Sequence, residues 1–116
     1  MSLVPIKNLT IRRFHEGLVN KEFTALEAAE AYYARIREKD PTINAYLSTR
    51  EEAALREAET VDLAIANDEE IPMLAGIPLA IKDNILMKGE ITTAASKILE
   101  HYTASYDATV IAKLKE

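Results

Sequence analysis

Leu74-Ala75-Gly76-Ile77-Pro78-Leu79-Ala80-Ile81-Lys82-Asp83-Asn84 is the stretch on which the fold turns. Its middle, Gly76 to Ile81, is continuously apolar, with Gly and Pro at its start. Such a run suits a strand buried on both faces of an α/β sheet. Pro78 has no amide to donate, so the regular strand is expected to begin near it. Lys82 follows the run directly, and ligands bind at the carboxyl ends of strands in α/β sheets. A lysine held there against apolar walls is desolvated, which penalises the ammonium and favours the free amine as a base. The plainer reading is a structural lysine paired with Asp83 or another carboxylate, and position by itself favours that reading.

Helical patterns dominate upstream. Thr10 precedes Ile11, Phe14 and Leu18 on one face, a pattern that stops between Gly17 and Asn20. Thr24 with Glu27 forms a capping box ahead of a helix to about Lys39, striped by Leu26, Ala29, Tyr33 and Ile36. Asp40-Pro41 is expected to end it. Ile43 to Leu47 reads as a short strand. Glu51 to about Asn67 reads as a helix with Ala54, Ala58, Val61 and Ile65 inward, and Asn67 to Glu70 as a polar break. Downstream, Gly89 marks a turn, and Ser96 to Glu100 is either a short helix or extended. Asp107 is expected to cap a last helix with Val110, Ile111 and Leu114 on its face. The element order implies an α/β fold in a single domain, 1–116. That last helix runs into Glu116 without a C-cap glycine, which suggests a truncated segment.

Composition narrows the function classes. The chain has 116 residues, 48% hydrophobic and 28% charged, and no cysteine, so disulfides and thiolate chemistry are out and a cytoplasmic setting fits. No run is long and apolar enough for a membrane span. The start at Met1-Ser2-Leu3-Val4-Pro5 lacks the pattern of a secretory signal. Eight acids and one base between Glu51 and Glu70 give that segment −7, leaving +2 of the chain's −5 to the rest. Direct nucleic-acid binding, which needs clustered Lys and Arg, is disfavoured, and the acidic run reads as a solvated helix face.

Other chemistry-bearing residues read blandly. Ser96 and Ser105 suit helix starts or turns, bonding nearby amides, and neither sits in a glycine-rich elbow. His15 and His101 are far apart, without metal-ligand spacing, and His15 suits a helix flank. Tyr32, Tyr33, Tyr46, Tyr102 and Tyr106 read as packing, since no basic groove accompanies them. No cofactor or metal is expected.

The run Gly76-Ile77-Pro78-Leu79-Ala80-Ile81-Lys82-Asp83-Asn84 resembles the Gly-(Val/Ile)-Pro-(aliphatic)-(Ala)-(Val/Ile)-Lys-Asp-Asn segment of the amidase-signature family. The resemblance continues through Lys88-Gly89, Thr92-Thr93, Ala95-Ser96-Lys97 and Tyr106-Asp107-Ala108-Thr109-Val110. Upstream, Glu22-Phe23-Thr24, Ala31-Tyr32, Arg35-Ile36 and Asn44-Ala45-Tyr46 resemble the family's N-terminal helical pair and first strand. The Thr-Thr-x-Ala-Ser-Lys and Tyr-Asp-Ala-Thr-Val pieces point to the tRNA-amidotransferase A-subunit branch. Leu86-Met87 and Ala94 depart from it, standing where that branch often carries Cys-Thr and Cys. The resemblance implies the outer helices and first strands of a mixed sheet, and a Ser–cis-Ser–Lys triad that hydrolyses a carboxamide. It makes Lys82 the triad lysine. The two serines belong to a Gly/Ser-rich segment further downstream in the family, and no Gly-Gly or Ser-Ser pair occurs here.

Three expectations follow. The chain is an N-terminal amidase portion, inactive alone, whose partners are the missing C-terminal amidase portion and the other amidotransferase subunits. Alternatively, it is a non-enzymatic α/β module that self-associates as a dimer or higher oligomer. A third reading has it complement a separate C-terminal piece.

Overall fold

The computed structural model describes residues 4–116; the Met1–Leu3 start weighed as a signal lies outside them. Four helices follow in order: α1 (Ile11–Val19), α2 (Ala25–Ile43), α3 (Glu51–Ala66) and α4 (Thr109–Lys115), with a 3-10 turn at Lys97–Leu99 before α4. Contacts divide the chain into two compact units, Met1–Pro78 and Leu79–Glu116.

In the first unit the expected capping box is made, and Thr10 caps α1 as well. The Thr10 hydroxyl accepts from the Arg13 amide at 3.1 Å. Thr24 and Glu27 close their box, with bonds of 3.0 and 2.9 Å. A further cap comes from α3: the Asp62 carboxylate accepts from the Ala25 amide at 2.7 Å and the Leu26 amide at 3.0 Å. Both amides lie in the first turn of α2 and have no intrahelical partner. Asp62 therefore joins two helices, although the acidic run reads from sequence as a face turned only to water.

The core gathers Phe14, Leu18, Phe23, Ala25, Ala28, Ala29, Ala58 and Ile71. Small residues on α2 and α3 let these helices pack closely. Phe14 and Phe23 meet edge to face with ring centroids 5.4 Å apart. Gly17 makes room for the second ring, since a Cβ there would stand 2.3 Å from Phe23 Cε1. Gly76, in the left-handed region at φ +75, lies against this core, with its Cβ position 3.2 Å from Ala25 Cβ.

Several expected elements take another form. α2 does not stop at Asp40-Pro41 but runs to Ile43. Pro41 sits in the last turn, where its missing donor removes only one bond, and the Asn44 amide closes the helix on the Asp40 carbonyl at 2.6 Å. Ile43 to Leu47 is then no strand. Asn44 adopts φ 55, and the Asp40 carboxylate accepts from the Ala45 and Tyr46 amides at 2.7 and 3.3 Å. Those amides are spent on a helix cap rather than on a ladder.

Gly76 to Ile81 also departs from expectation. Residues 73–76 form a turn and 77–82 have no regular structure. A strand exists only by pairing, and among the described residues nothing pairs with this run; the one bridge is antiparallel, Ile91 to Thr103. The described chain is thus helical, without the sheet of the expected α/β class.

The second unit is mostly turns. Gly89, at φ +86, turns the chain as expected. Around the bridge, the Gly89 and Ala104 amides donate to Ala104 and Glu90 carbonyls at 2.9 Å each. Ser96 to Glu100 resolves as the 3-10 turn. Asp107 does not cap α4: Ala108 holds that place without a side-chain bond. The Asp107 carboxylate instead accepts from the Lys88 amide at 2.7 Å and from Lys115 Nζ at 2.8 Å. Of the expected face of α4, Ile111 is buried, whereas Val110 and Leu114 are exposed.

Candidate functional site

The site is built around Lys82 and the loop that its neighbour holds. Lys82 follows the irregular run 77–81 and is exposed, as are Leu79, Ala80 and Ile81 before it. The apolar walls expected around the lysine are therefore absent among the described residues. Its side chain also makes no hydrogen bond or ion pair there. What is fixed is the backbone: the Lys82 carbonyl accepts from the Ile85 amide at 3.0 Å, closing a turn over Lys82-Asp83-Asn84-Ile85.

Asp83 does not pair with Lys82. Its carboxylate accepts from the Thr93 amide at 3.0 Å and from the Thr93 hydroxyl. Its carbonyl accepts from the Ala94 amide at 3.0 Å. The Thr93 hydroxyl, followed by the Thr93 amide, holds the Asp83 carboxyl below the usual carboxylate range, because each bond favours the charged form. Two separate sequence pieces, Lys82-Asp83-Asn84 and Thr92 to Lys97, are brought together in this way. Spacing gave no sign of the Asp83–Thr93 pairing, since ten residues matches neither a helical nor a turn period.

The far side of this loop is strained. Ala94 and Ala95 are both in the left-handed region, at φ 48 and 59, where an L-residue is disfavoured by its Cβ. The Ala95 amide donates to the Thr93 hydroxyl oxygen at 3.2 Å, and the Ser96 amide to the Thr93 carbonyl at 2.8 Å. Ser96 is the residue before the 3-10 turn, as a helix-start serine should be, but its side chain makes no capping bond. Ser105 is exposed.

The remaining candidates lie elsewhere. His15 is half-buried on α1, with its Nδ1 buried and unpartnered. His101 is exposed, 3.3 Å from Glu100. Burial raises the Tyr32 and Tyr33 phenols, whereas Tyr46, Tyr102 and Tyr106 are exposed. Among the described residues no three of His, Asp and Glu converge as a metal would require, and no helix is long and apolar enough to cross a membrane. A groove of about 560 Å³ between α2 and α3, with Ala31, Ala34 and Leu55 on its walls, does not include Lys82.

Comparison with known proteins gives the site its context. Residues 27–116 match the family model described as Amidase. The chain is 45% identical over 107 residues to the A subunit of glutamyl-tRNA(Gln) amidotransferase from Microcystis aeruginosa, covering 92% of this chain and 22% of that protein. Its counterpart from Geobacter metallireducens is 47% identical over 109 residues, covering 94% and 22%. That from Limosilactobacillus fermentum is 50% identical over 105 residues, covering 90% and 21%. The chain thus spans about a fifth of the length of these curated relatives. A solved structure, described as a vestigial protein complex that reveals the evolutionary origins of an s-triazine catabolic enzyme, superposes with a TM-score of 0.82 at 33% identity. It covers 88% of this chain and 22% of that one. Sequence along nearly the whole chain and backbone geometry agree: the chain belongs to the amidase family and is similar to the N-terminal portion of the glutamyl-tRNA(Gln) amidotransferase A subunit.

Proposed function

We propose that this chain provides the lysine of a Ser–cis-Ser–Lys amidase and works as the N-terminal portion of an amidotransferase A subunit. The observation that carries this reading is the unbroken run Gly76 to Asn84, set in a chain 45–50% identical to such subunits over at least nine-tenths of its length. Lys82 takes a proton through the cis serine while the second serine attacks the carboxamide carbonyl. Nucleophilic catalysis needs that serine, its base and oxyanion donors within reach of one another. Residues 4–116 offer Lys82 alone, so the chain by itself releases no ammonia. The rest of the amidase supplies the serines, covers Lys82 and pairs with the 76–81 run, giving that run its place in a mixed sheet. The whole enzyme works in the cytoplasm with its amidotransferase partners.

Ammonia release from glutamine and from simple amides, assayed on the 116-residue chain, tests the claim. No turnover is expected. Turnover that Lys82→Ala abolishes would show the chain to be complete in itself. Mixing with the remaining portion of an amidotransferase relative should restore activity that depends on Lys82. Absence of activity from that mixture, with both pieces folded, would count against complementation.

A second reading, a self-associating module, is favoured by the exposed apolar side chains. Leu79 is 54% exposed, Ile98 94% and Leu47 80%. In both readings these side chains are covered in the working protein.

A further inference from the structure

We infer that Asp83 and Thr93 form a clamp that positions Lys82, making Thr93 a positioning residue for the amidase reaction although it touches no substrate. The inference rests on the assignment of Lys82 made above.

A base must be held near its proton donor, and the Lys82 side chain has nothing to hold it among the described residues. Its aim is therefore set by the backbone beneath it. That backbone is tied by the residue next to it. Asp83 meets the 93–94 loop at three points: through its carboxylate to the Thr93 amide and hydroxyl, and through its carbonyl to the Ala94 amide. An aspartate capping an ordinary turn bonds amides two or three residues away; this one reaches ten residues.

The loop so held is one that would not form unaided. Successive left-handed alanines persist only where surrounding bonds over-determine them, and such strain clusters at functional sites. The Thr93 hydroxyl links the two features, donating to Asp83 and accepting from the Ala95 amide. The clamp also occupies the carboxylate next to Lys82 in sequence. A free Asp83 beside Lys82 could pair with the ammonium and favour its charged form, which is no base. Held by Thr93, Asp83 leaves the lysine unpaired.

The experiment joins this chain to the remainder of an amidotransferase relative and follows ammonia release from glutamine, with Lys82→Ala as reference. Thr93→Val keeps the side-chain shape and removes the hydroxyl. It is expected to lower kcat on the order of 10- to 100-fold, the scale of an ångström-level misplacement, with KM unchanged. Thr93→Ser, which restores the hydroxyl, should return most of the lost kcat. Full activity in Thr93→Val, with Lys82→Ala inactive, overturns the clamp and leaves the lysine's assignment standing. Full activity in Lys82→Ala overturns that assignment and the clamp with it. A fall in kcat that follows the folded fraction measured by circular dichroism, or that Thr93→Ser fails to recover, marks Thr93 as structural only and also overturns the proposal.

Discussion

Ala94 and Ala95 each hold a conformation that costs an L-residue roughly 1–2 kcal/mol. Glycine has no such cost but gives back roughly 0.5–1 kcal/mol through the entropy of the unfolded chain. At the exposed Ala95 the balance favours glycine: Ala95→Gly should stabilise the chain by roughly 0.5–1 kcal/mol. A urea midpoint that falls instead would mean the left-handed pair is not populated. Asp83 gives a prediction of the opposite kind. Its folded carboxyl titrates below the ordinary value because Thr93 donates to the charged form. Its stabilising contribution is therefore complete above about pH 4, where an unfolded aspartate is ionised, and is lost as pH falls through the lower folded value. Asp83→Asn should flatten the dependence of the thermal midpoint on pH below about 4; an unchanged slope would exclude the bond as a source of stability. Lys82 stands out in the sequence because it ends a recognisable run, and its role is the one proposed above. Asp83 was legible only as an acid beside it. Its partner was not, because a side-chain bond between two irregular loops leaves no period in the sequence.

The same division between local and distant determinants holds for the elements. The Thr24–Glu27 box could be read because it closes within three residues, and the start after Thr10 could be read from the apolar pattern that follows it. The helices from Ile11 and Ala25 follow from their caps and from apolar residues at helical spacing, and the helix from Glu51 from the spacing alone. Asp62 could not be read, since its bonds to Ala25 and Leu26 span 37 and 36 residues. Its removal should be felt more than the loss of a local cap. Thr24→Ala is expected to cost about 1 kcal/mol. Asp62→Ala is expected to cost roughly 1–3 kcal/mol, because it leaves the amide of the fully buried Ala25 without an acceptor. Urea unfolding of both variants checks the order, and an Asp62 variant less damaging than Thr24→Ala would refute this account of the α2–α3 junction. The two expected strands are the elements that do not form among the described residues. A helix satisfies its own amides, whereas Ile43–Leu47 and Gly76–Ile81 needed partners. The first gave two amides to Asp40, and the second has no partner among the described residues. An apolar run states that a segment is to be buried; it does not state against what.

At the scale of the molecule, the run 77–82 carries the consequence. Scattered exposed apolar residues are normal on folded proteins. Leu79 and Ile81 differ because they lie two apart on a segment with no ladder partner among the described residues, exposed to 54% and 37%. A segment with apolar side chains and free backbone groups is a template for another strand. In an intact amidase that strand comes from the remainder of the fold, as proposed above. In a solution of the 116-residue chain the available partner is a second copy. Light scattering should therefore show association that rises with concentration, to a dimer or larger species. The double variant Leu79→Lys with Ile81→Lys should shift the population toward monomer, because like charges on both copies oppose pairing and the apolar gain is lost. Charging Ile98, which is 94% exposed but lies in the 3-10 turn where no strand can add, should change association much less. A clean monomer of the unaltered chain at high concentration would count against self-association. Association blocked equally well at Ile98 would point to general apolar adhesion instead. Dependence on Leu79 and Ile81 alone would support strand pairing at this run, the pairing proposed above for Gly76 to Ile81.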